Sequence, residues 1–164
     1  LPFDHPLYIL YSSGTTGTKV SKIVLDKENA NLQTKVLTKI VSTVLGNKRL
    51  PMLVIDSKSI MKDRNHFSAR NAGIIGFSIF GKDVTYALND NMELDIPRVQ
   101  YFTKRYKREK IFIFGFTSII WESFVRYTID NKIKLSGLDG IMIHGGGWKK
   151  LKDIQVNNTL FFYK

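Results

Sequence analysis

At 164 residues, with 43% hydrophobic and 12% aromatic side chains, the chain is long enough for one domain with a real core and too apolar for wholesale disorder. It has no cysteine, which excludes disulfides, thiolate metal sites and a cysteine nucleophile, and His5, His66 and His144 lack ligand-like spacing, so no metal site is expected. A net charge of +11 from 25 basic and 14 acidic residues predicts attraction to polyanions, whether nucleotides, nucleic acid or acidic lipid.

The start, Leu1-Pro2-Phe3-Asp4-His5, is not a signal peptide, and no apolar run reaches bilayer length. A cytoplasmic protein is the expectation. The apolar run Leu7-Tyr8-Ile9-Leu10 leads into Tyr11-Ser12-Ser13-Gly14-Thr15-Thr16-Gly17-Thr18-Lys19, and Ile23-Val24-Leu25 follows. This reads as strand, tight loop, strand. Glycines let backbone N–H groups converge on one hollow, hydroxyls add rotatable donors, and Lys19 adds charge. That combination suits phosphate oxygens, although Ser12 and Ser13 also fit as hydroxyls that satisfy turn backbone groups.

Asp26 is a helix cap with Glu28 in the first turn. Leu32, Val36, Leu37, Ile40, Val41, Val44 and Leu45 recur at helical spacing, and Gly46 is the stop. The broad apolar stripe is expected to cover one face of a sheet. Pro51 opens a short buried strand over Met52–Asp56, and Ser57 to Arg70 reads as irregular and polar. A short helix is expected near Ala69–Phe80 and a strand near Val84–Leu88. Asp95 and Pro97 read as a cap followed by proline at the first helical position. Val99, Phe102 and Tyr106 then mark one side of that helix. Arg98, Lys104, Arg105, Lys107, Arg108 and Lys110 mark a basic side, able to bind phosphates or acidic lipid but more often simply solvated.

Ile111–Phe116 reads as a strand buried on both faces. Thr117 or Ser118 is the expected cap of the next helix, with Ile120, Trp121, Phe124, Val125 and Ile129 inward. Leu138–His144 is a further strand, running into Gly145-Gly146-Gly147-Trp148, and Thr159–Tyr163 is strand-like. Strands alternating with helices predict an α/β domain with a mixed or largely parallel sheet flanked by helices.

Ligands of α/β domains sit at the carboxyl ends of the strands. Both glycine loops follow predicted strands, so both could line one crevice. The first would hold phosphates, and Gly145, Gly146 and Gly147 would let a flat ring lie on bare backbone. Trp148 fits either as a stacking ring or as core. His144 is more often a satisfied core histidine, and Asp56 and Asp139 fit caps or turns better than metal. Other phosphate motifs fit worse. Only Thr15 and Thr16 separate Gly14 from Gly17, against four residues in the Walker loop, and the dinucleotide fingerprint is absent.

Tyr11 to Lys19 resembles the phosphate loop of the adenylate-forming superfamily, and Ile111 to Gly147 resembles that superfamily's later strand–helix–strand segment ending in paired glycines at the adenine. A narrower family is closer still. The Ser-Ser-Gly-Thr-Thr-Gly loop, the Phe114-Gly115-Phe116 turn and the string Ile143-His144-Gly145-Gly146-Gly147-Trp148-Lys149 resemble the bacterial acyl-protein synthetases of the luminescence fatty-acid reductase. The resemblance implies ATP-dependent activation of a carboxylic, typically fatty, acid as acyl-adenylate, then transfer to a thiol, with ATP and Mg²⁺ and an acyl-acceptor protein as partner. It implies phosphate contacts from Ser12, Ser13, Gly14, Thr15, Thr16, Gly17 and Lys19, with Thr16 and Lys19 at the reacting phosphates, and adenine-side contacts from Gly145 to Gly147. Lys19 stands where proline is usual and Val20 replaces the expected lysine, so Lys19 and Lys22 both stay open as the phosphate contact. The aromatic-Gly-x-Thr-Glu motif, the ribose-binding aspartate, the small lysine-bearing domain and the acyl-accepting cysteine are not found, so the chain is expected to be the nucleotide-binding core of a longer enzyme, with little turnover alone. The alternative is a non-enzymatic basic module for nucleic acid or acidic membrane. It ranks second because no aromatic-basic recognition signature is present.

Overall fold

The computed structural model describes residues 8–11, 22–62, 68–135 and 139–148. Two strands near the start, β1 (Tyr8–Tyr11) and β2 (Lys22–Leu25), pair antiparallel, with Tyr8 opposite Leu25 and Tyr11 opposite Lys22. Strand, connection, strand is therefore the arrangement, as the sequence pattern predicts. The hairpin is a sheet of its own, however, so β1 is not a strand of the parallel sheet.

Helix α1 (Lys27–Leu45) begins at Asp26, whose carboxylate accepts from the Asn29 backbone N–H at 2.7 Å. It stops at Gly46, which takes a φ of +78° and donates to the Ser42 carbonyl at 3.0 Å. Both ends match the expectation. The stripe does not. Val41 and Leu45 are buried and Leu37 packs beside them, whereas Leu32, Val36, Ile40 and Val44 are exposed among the described residues. Seven apolar positions span more of the helix surface than the sheet contact covers, so only the 37/41/45 line is inside.

β3 (Leu50–Ser57), β4 (Gly81–Leu88), β5 (Ile111–Phe116) and β6 (Gly140–Gly145) form one sheet in the order β4-β3-β5-β6, every pair parallel. Met52 lies opposite Phe112, and Ile111 opposite Gly140. The β3–β4 register shifts between Pro51 and Leu53, where Asp83 adopts a left-handed φ of +49°.

Helices lie on both faces. α2 (Ala69–Ser78) joins α1 on one side, capped by Ser68, whose hydroxyl accepts from the Asn71 N–H at 3.2 Å. α3 (Ile96–Arg105) lies on the other, capped by Asp95, which accepts from the Arg98 N–H at 3.0 Å. Ile96 holds the first helical position, so Pro97 is second rather than first. Strand alternation sorts the core. Met52, Val54, Phe112 and Phe114 pack with Val41, Leu45, Ile74 and Phe80. Leu53, Ile55, Ile111 and Ile113 pack with Val99, Phe102, Ile120 and Phe124. Both faces of β3 and β5 are thus buried, which is why these strands read as unbroken apolar runs.

After β5 the chain is α-helical at α4 (Thr117–Ile119), takes π geometry through Ile120–Arg126, and returns to α in α5 (Tyr127–Asp130). Ile120, Trp121 and Phe124 face the core as expected, but Ile129 is exposed. The segment Ser57 to Arg70, read as irregular, contains a 3₁₀ turn over Lys58–Lys62 and the first turn of α2. No described helix is long and apolar enough to cross a membrane.

Candidate functional site at the carboxyl ends of the strands

The carboxyl edge of a parallel sheet gathers strand ends and the helix starts that follow them. Here it brings together Asp56 and Ser57 from β3, Asn89 and Asp90 after β4, Thr117 after β5, and His144 to Gly147 from β6. Two polar assemblies stand there.

The first is built on Asp56, which is fully buried. Arg70, from the first turn of α2, grips the carboxylate with both sides of its fork. Nε donates to Oδ2 at 2.6 Å, and Nη2 donates to Oδ1. The Ser57 backbone N–H also donates to Oδ1, at 2.6 Å. A planar guanidinium on a planar carboxylate is the pairing that best repays desolvation of a buried charge. It ties α2 to β3, as Asn71 ties the same helix to the 3₁₀ turn by donating to the Ile60 carbonyl at 2.7 Å. The Asp56 charge and burial together push the nearby Tyr86 phenol above its ordinary value, burial being the larger cause. The Ser57 hydroxyl lies 2.8 Å from that of Ser59 and donates to Asp90 Oδ1 at 3.3 Å. Asp56, read from the sequence as a cap or turn residue, is therefore a structural anchor that holds Arg70 and the Ser57 backbone N–H. No group of three His, Cys, Asp or Glu side chains among the described residues could hold a metal ion.

The second assembly holds the glycine turn. Gly146 takes a φ of +73°, where an L side chain is strained, and a Cβ there would stand 3.1 Å from Phe116 Cδ1. Gly145 and Gly147 are open, with nothing within 4 Å of an added Cβ. The turn thus presents bare backbone to space, which suits a flat ring. Thr117 secures it. Its hydroxyl reaches the carbonyls of Gly145 and Gly146, at 3.0 Å and 3.1 Å, and lies 2.9 Å from His144 Nδ1. Neither Thr117 nor Ser118 is therefore the helix cap that the sequence suggests. Phe116 occupies the cap position, with no side-chain capping bond. The hydroxyl is drawn across to the end of β6 instead, because β5 and β6 end side by side, with Phe116 opposite Gly145.

Gly145, Gly146 and Gly147 are accordingly placed at the carboxyl edge. Ser12, Ser13, Gly14, Thr15, Thr16, Gly17 and Lys19 lie outside the described residues, as do Lys149 and the strand-like segment Thr159–Tyr163. Trp148 meets Trp121 edge-on at 5.6 Å between ring centres and packs against the core, which favours its core reading. Phe77 of α2 and Phe80 pack in the core, with Phe77 stacked on Phe114 at 4.4 Å. A surface hollow of about 350 Å³ lies away from this edge, lined by Glu122, Arg126, Tyr127 and Asp130 among others. Sequence reasoning gives Thr117 only a capping role and gives Arg70 none. A lone threonine and a lone arginine carry no spacing signal.

The family model described as Acyl-protein synthetase, LuxE, matches residues 8–163. No curated protein and no solved structure matches the chain. The match covers nearly the whole sequence, hairpin, parallel sheet and glycine turn included, and the chain belongs to the acyl-protein synthetase (LuxE) family.

Proposed function

We propose that this chain is the nucleotide-binding core of an adenylate-forming acyl-protein synthetase, which activates a fatty acid with ATP in the cytoplasm and, in the full-length protein, passes the acyl group to a thiol. The family match over residues 8–163 carries this reading. The open glycine turn at the carboxyl end of β6 supports it, since it offers a backbone shelf for the adenine ring. The Ser12–Lys19 stretch supplies the hydroxyls, glycines and cation that the phosphates need.

In the reaction a carboxylate oxygen of the acid attacks the α-phosphorus of ATP, and the bond to pyrophosphate breaks. The acyl carbon then accepts a thiolate, and AMP leaves. A carboxylate is already nucleophilic at neutral pH, so the first step needs no general base from this chain. The protein's work is positioning and neutralising charge. Ser12, Ser13, Thr15 and Thr16 donate hydroxyl hydrogen bonds to phosphate oxygens, Gly14 and Gly17 shape the backbone cradle, and Lys19 or Lys22 supplies positive charge. Mg²⁺ accompanies the phosphates of the nucleotide. The carboxylate best buried at the described edge, Asp56, already has its oxygens bound to Arg70 and Ser57, so no described residue is assigned to the ion.

The test is carboxylate-dependent exchange of pyrophosphate into ATP by the complete enzyme. Ser13→Ala with Thr16→Ala is expected to abolish exchange. Unchanged exchange in the double variant overturns the phosphate role of the loop.

A further inference from the structure

The parallel sheet also sorts charge. All four strands begin at one edge, and cations crowd the approaches to them. Lys48 and Arg49 precede β3, Lys82 is the second residue of β4, and Lys107, Arg108 and Lys110 precede β5. Lys132 and Lys134 lie between α5 and β6. All of these are exposed. Among the described residues Lys82 alone of them forms a salt bridge, to Glu109 at 2.9 Å, and the other acids at this edge are Asp83, Asp130 and Asp139, fewer than the cations. The opposite edge differs. There, among the described residues, Asp56, Asp90, Glu93 and Asp95 stand with Lys58, Lys62, Arg70 and Arg98, and both arginines are bound to carboxylates.

Helix ends explain part of the pattern. α1, α2, α3 and α5 all finish at the amino edge, and cations in a last turn are stabilised by the helix dipole. That covers Lys104 and Arg105 in α3. The effect fades beyond the last turn, so it leaves Lys48, Arg49, Arg108 and Lys110 unexplained.

Two exposed aliphatic side chains flank the row. Ile79, 44% exposed, stands just before β4, and Ile129, 41% exposed, lies in the last turn of α5, the helix that leads toward β6. Strands stand about 4.8 Å apart, so four strand starts span about 15 Å. A row that long is matched by an extended array of negative charges rather than by one phosphate. Single-stranded nucleic acid is held by aromatic platforms beside the cations. Here the exposed side chains near the row are the isoleucines Ile79 and Ile129, with Tyr127 beside Ile129 on α5, and both residue types suit the boundary between lipid headgroups and acyl chains.

We propose that the amino-terminal edge of the parallel sheet docks on a bilayer containing anionic phospholipid. Lysines and arginines meet the headgroups, and Ile79 and Ile129 enter the interface beside them. The glycine turn is at the opposite edge, so docking leaves the carboxyl ends of the strands open to solution. This inference does not depend on the nucleotide reading.

The test is sedimentation of the full chain with vesicles of phosphatidylcholine alone or mixed with phosphatidylserine. Binding is expected only to the mixed vesicles, and to fall steeply as salt is raised from about 0.05 M to about 0.5 M. Lys107→Glu, Arg108→Glu and Lys110→Glu together are expected to weaken it by roughly tenfold or more. Lys27→Glu, Lys35→Glu and Lys39→Glu on α1 make the same change in net charge away from the edge, and are expected to leave affinity within about twofold. Equal loss in both triple variants, equal binding to neutral vesicles, or no binding overturns the proposal. Retention on RNA without retention on vesicles overturns it in favour of a nucleic-acid surface.

Discussion

Thr117 Oγ1 stands 2.9 Å from His144 Nδ1, and the same oxygen reaches the Gly145 carbonyl at 3.0 Å. One hydroxyl has one proton. The arrangement that satisfies every group has His144 Nδ1–H donating to Thr117 and Thr117 donating to the glycine carbonyls. The end of β5 then sets both the imidazole proton and the shape of the glycine turn. Thr117→Val keeps the volume and deletes the hydroxyl, and is expected to cost about 2 kcal/mol in urea unfolding. Thr117→Ser is expected to recover most of that loss. A valine variant as stable as the parent removes the clamp.

Arg70 is the only charged partner that the described residues give Asp56. Arg70→Met leaves the apolar stem and removes the fork, so a buried carboxylate loses its counter-charge. The expected loss is about 3 kcal/mol, read from chemical denaturation. Asp56→Asn with Arg70→Met removes both charges and is expected to lose less than the single arginine variant. The reverse order contradicts the anchor role.

Tyr106 donates its phenol to Asp83 Oδ2 at 2.7 Å from a buried position. Burial first, and this hydrogen bond second, raise its pKa above the ordinary 10, against a smaller lowering by Arg105. The phenol is neutral in folded and unfolded chains below pH 10, so its contribution is fully present there. Above pH 10 the unfolded chain ionises first, and the contribution is lost as pH rises through the folded value. Tyr106→Phe is expected to be about 1 kcal/mol less stable at pH 8 and to show a shallower decline above pH 10. Parallel declines in denaturant titrations at rising pH refute this.

Val41 and Ile40 are neighbours on α1 with opposite fates, 5% and 60% exposed. Val41→Ala is expected to cost about 2 kcal/mol. Ile40→Ala is expected to stay within about 0.5 kcal/mol, because little apolar surface is lost. Comparable costs at the two positions imply a covered outer ridge.

Much of this architecture is readable without coordinates where a local signal decides it. Asp26 and Asp95 cap their helices because a short carboxylate before an apolar period has few better uses. β3 and β5 are continuous apolar runs because helices cover both of their faces. Periodicity marks all seven apolar positions of α1 alike, yet only packing decides that Leu32, Val36, Ile40 and Val44 stay outside. Thr117 reads as a cap from its own neighbours, and its hydroxyl is claimed by a strand nearly thirty residues on. The π geometry of Ile120–Arg126 changes hydrogen-bond partners without changing composition. At the candidate site, the triple glycine is legible by its letters, while the threonine that holds it is not.

The all-parallel sheet has a consequence for how the chain reaches this state. No two of its strands can zip from a tight turn. Leu53 must find Ile113, and Phe112 must find Ile141, across whole intervening helices. Assembly therefore waits on long-range closure, and refolding from denaturant is slow beside that of a helical bundle of equal size, with the bare strands of β3 and β5 exposed to self-association for as long as it lasts.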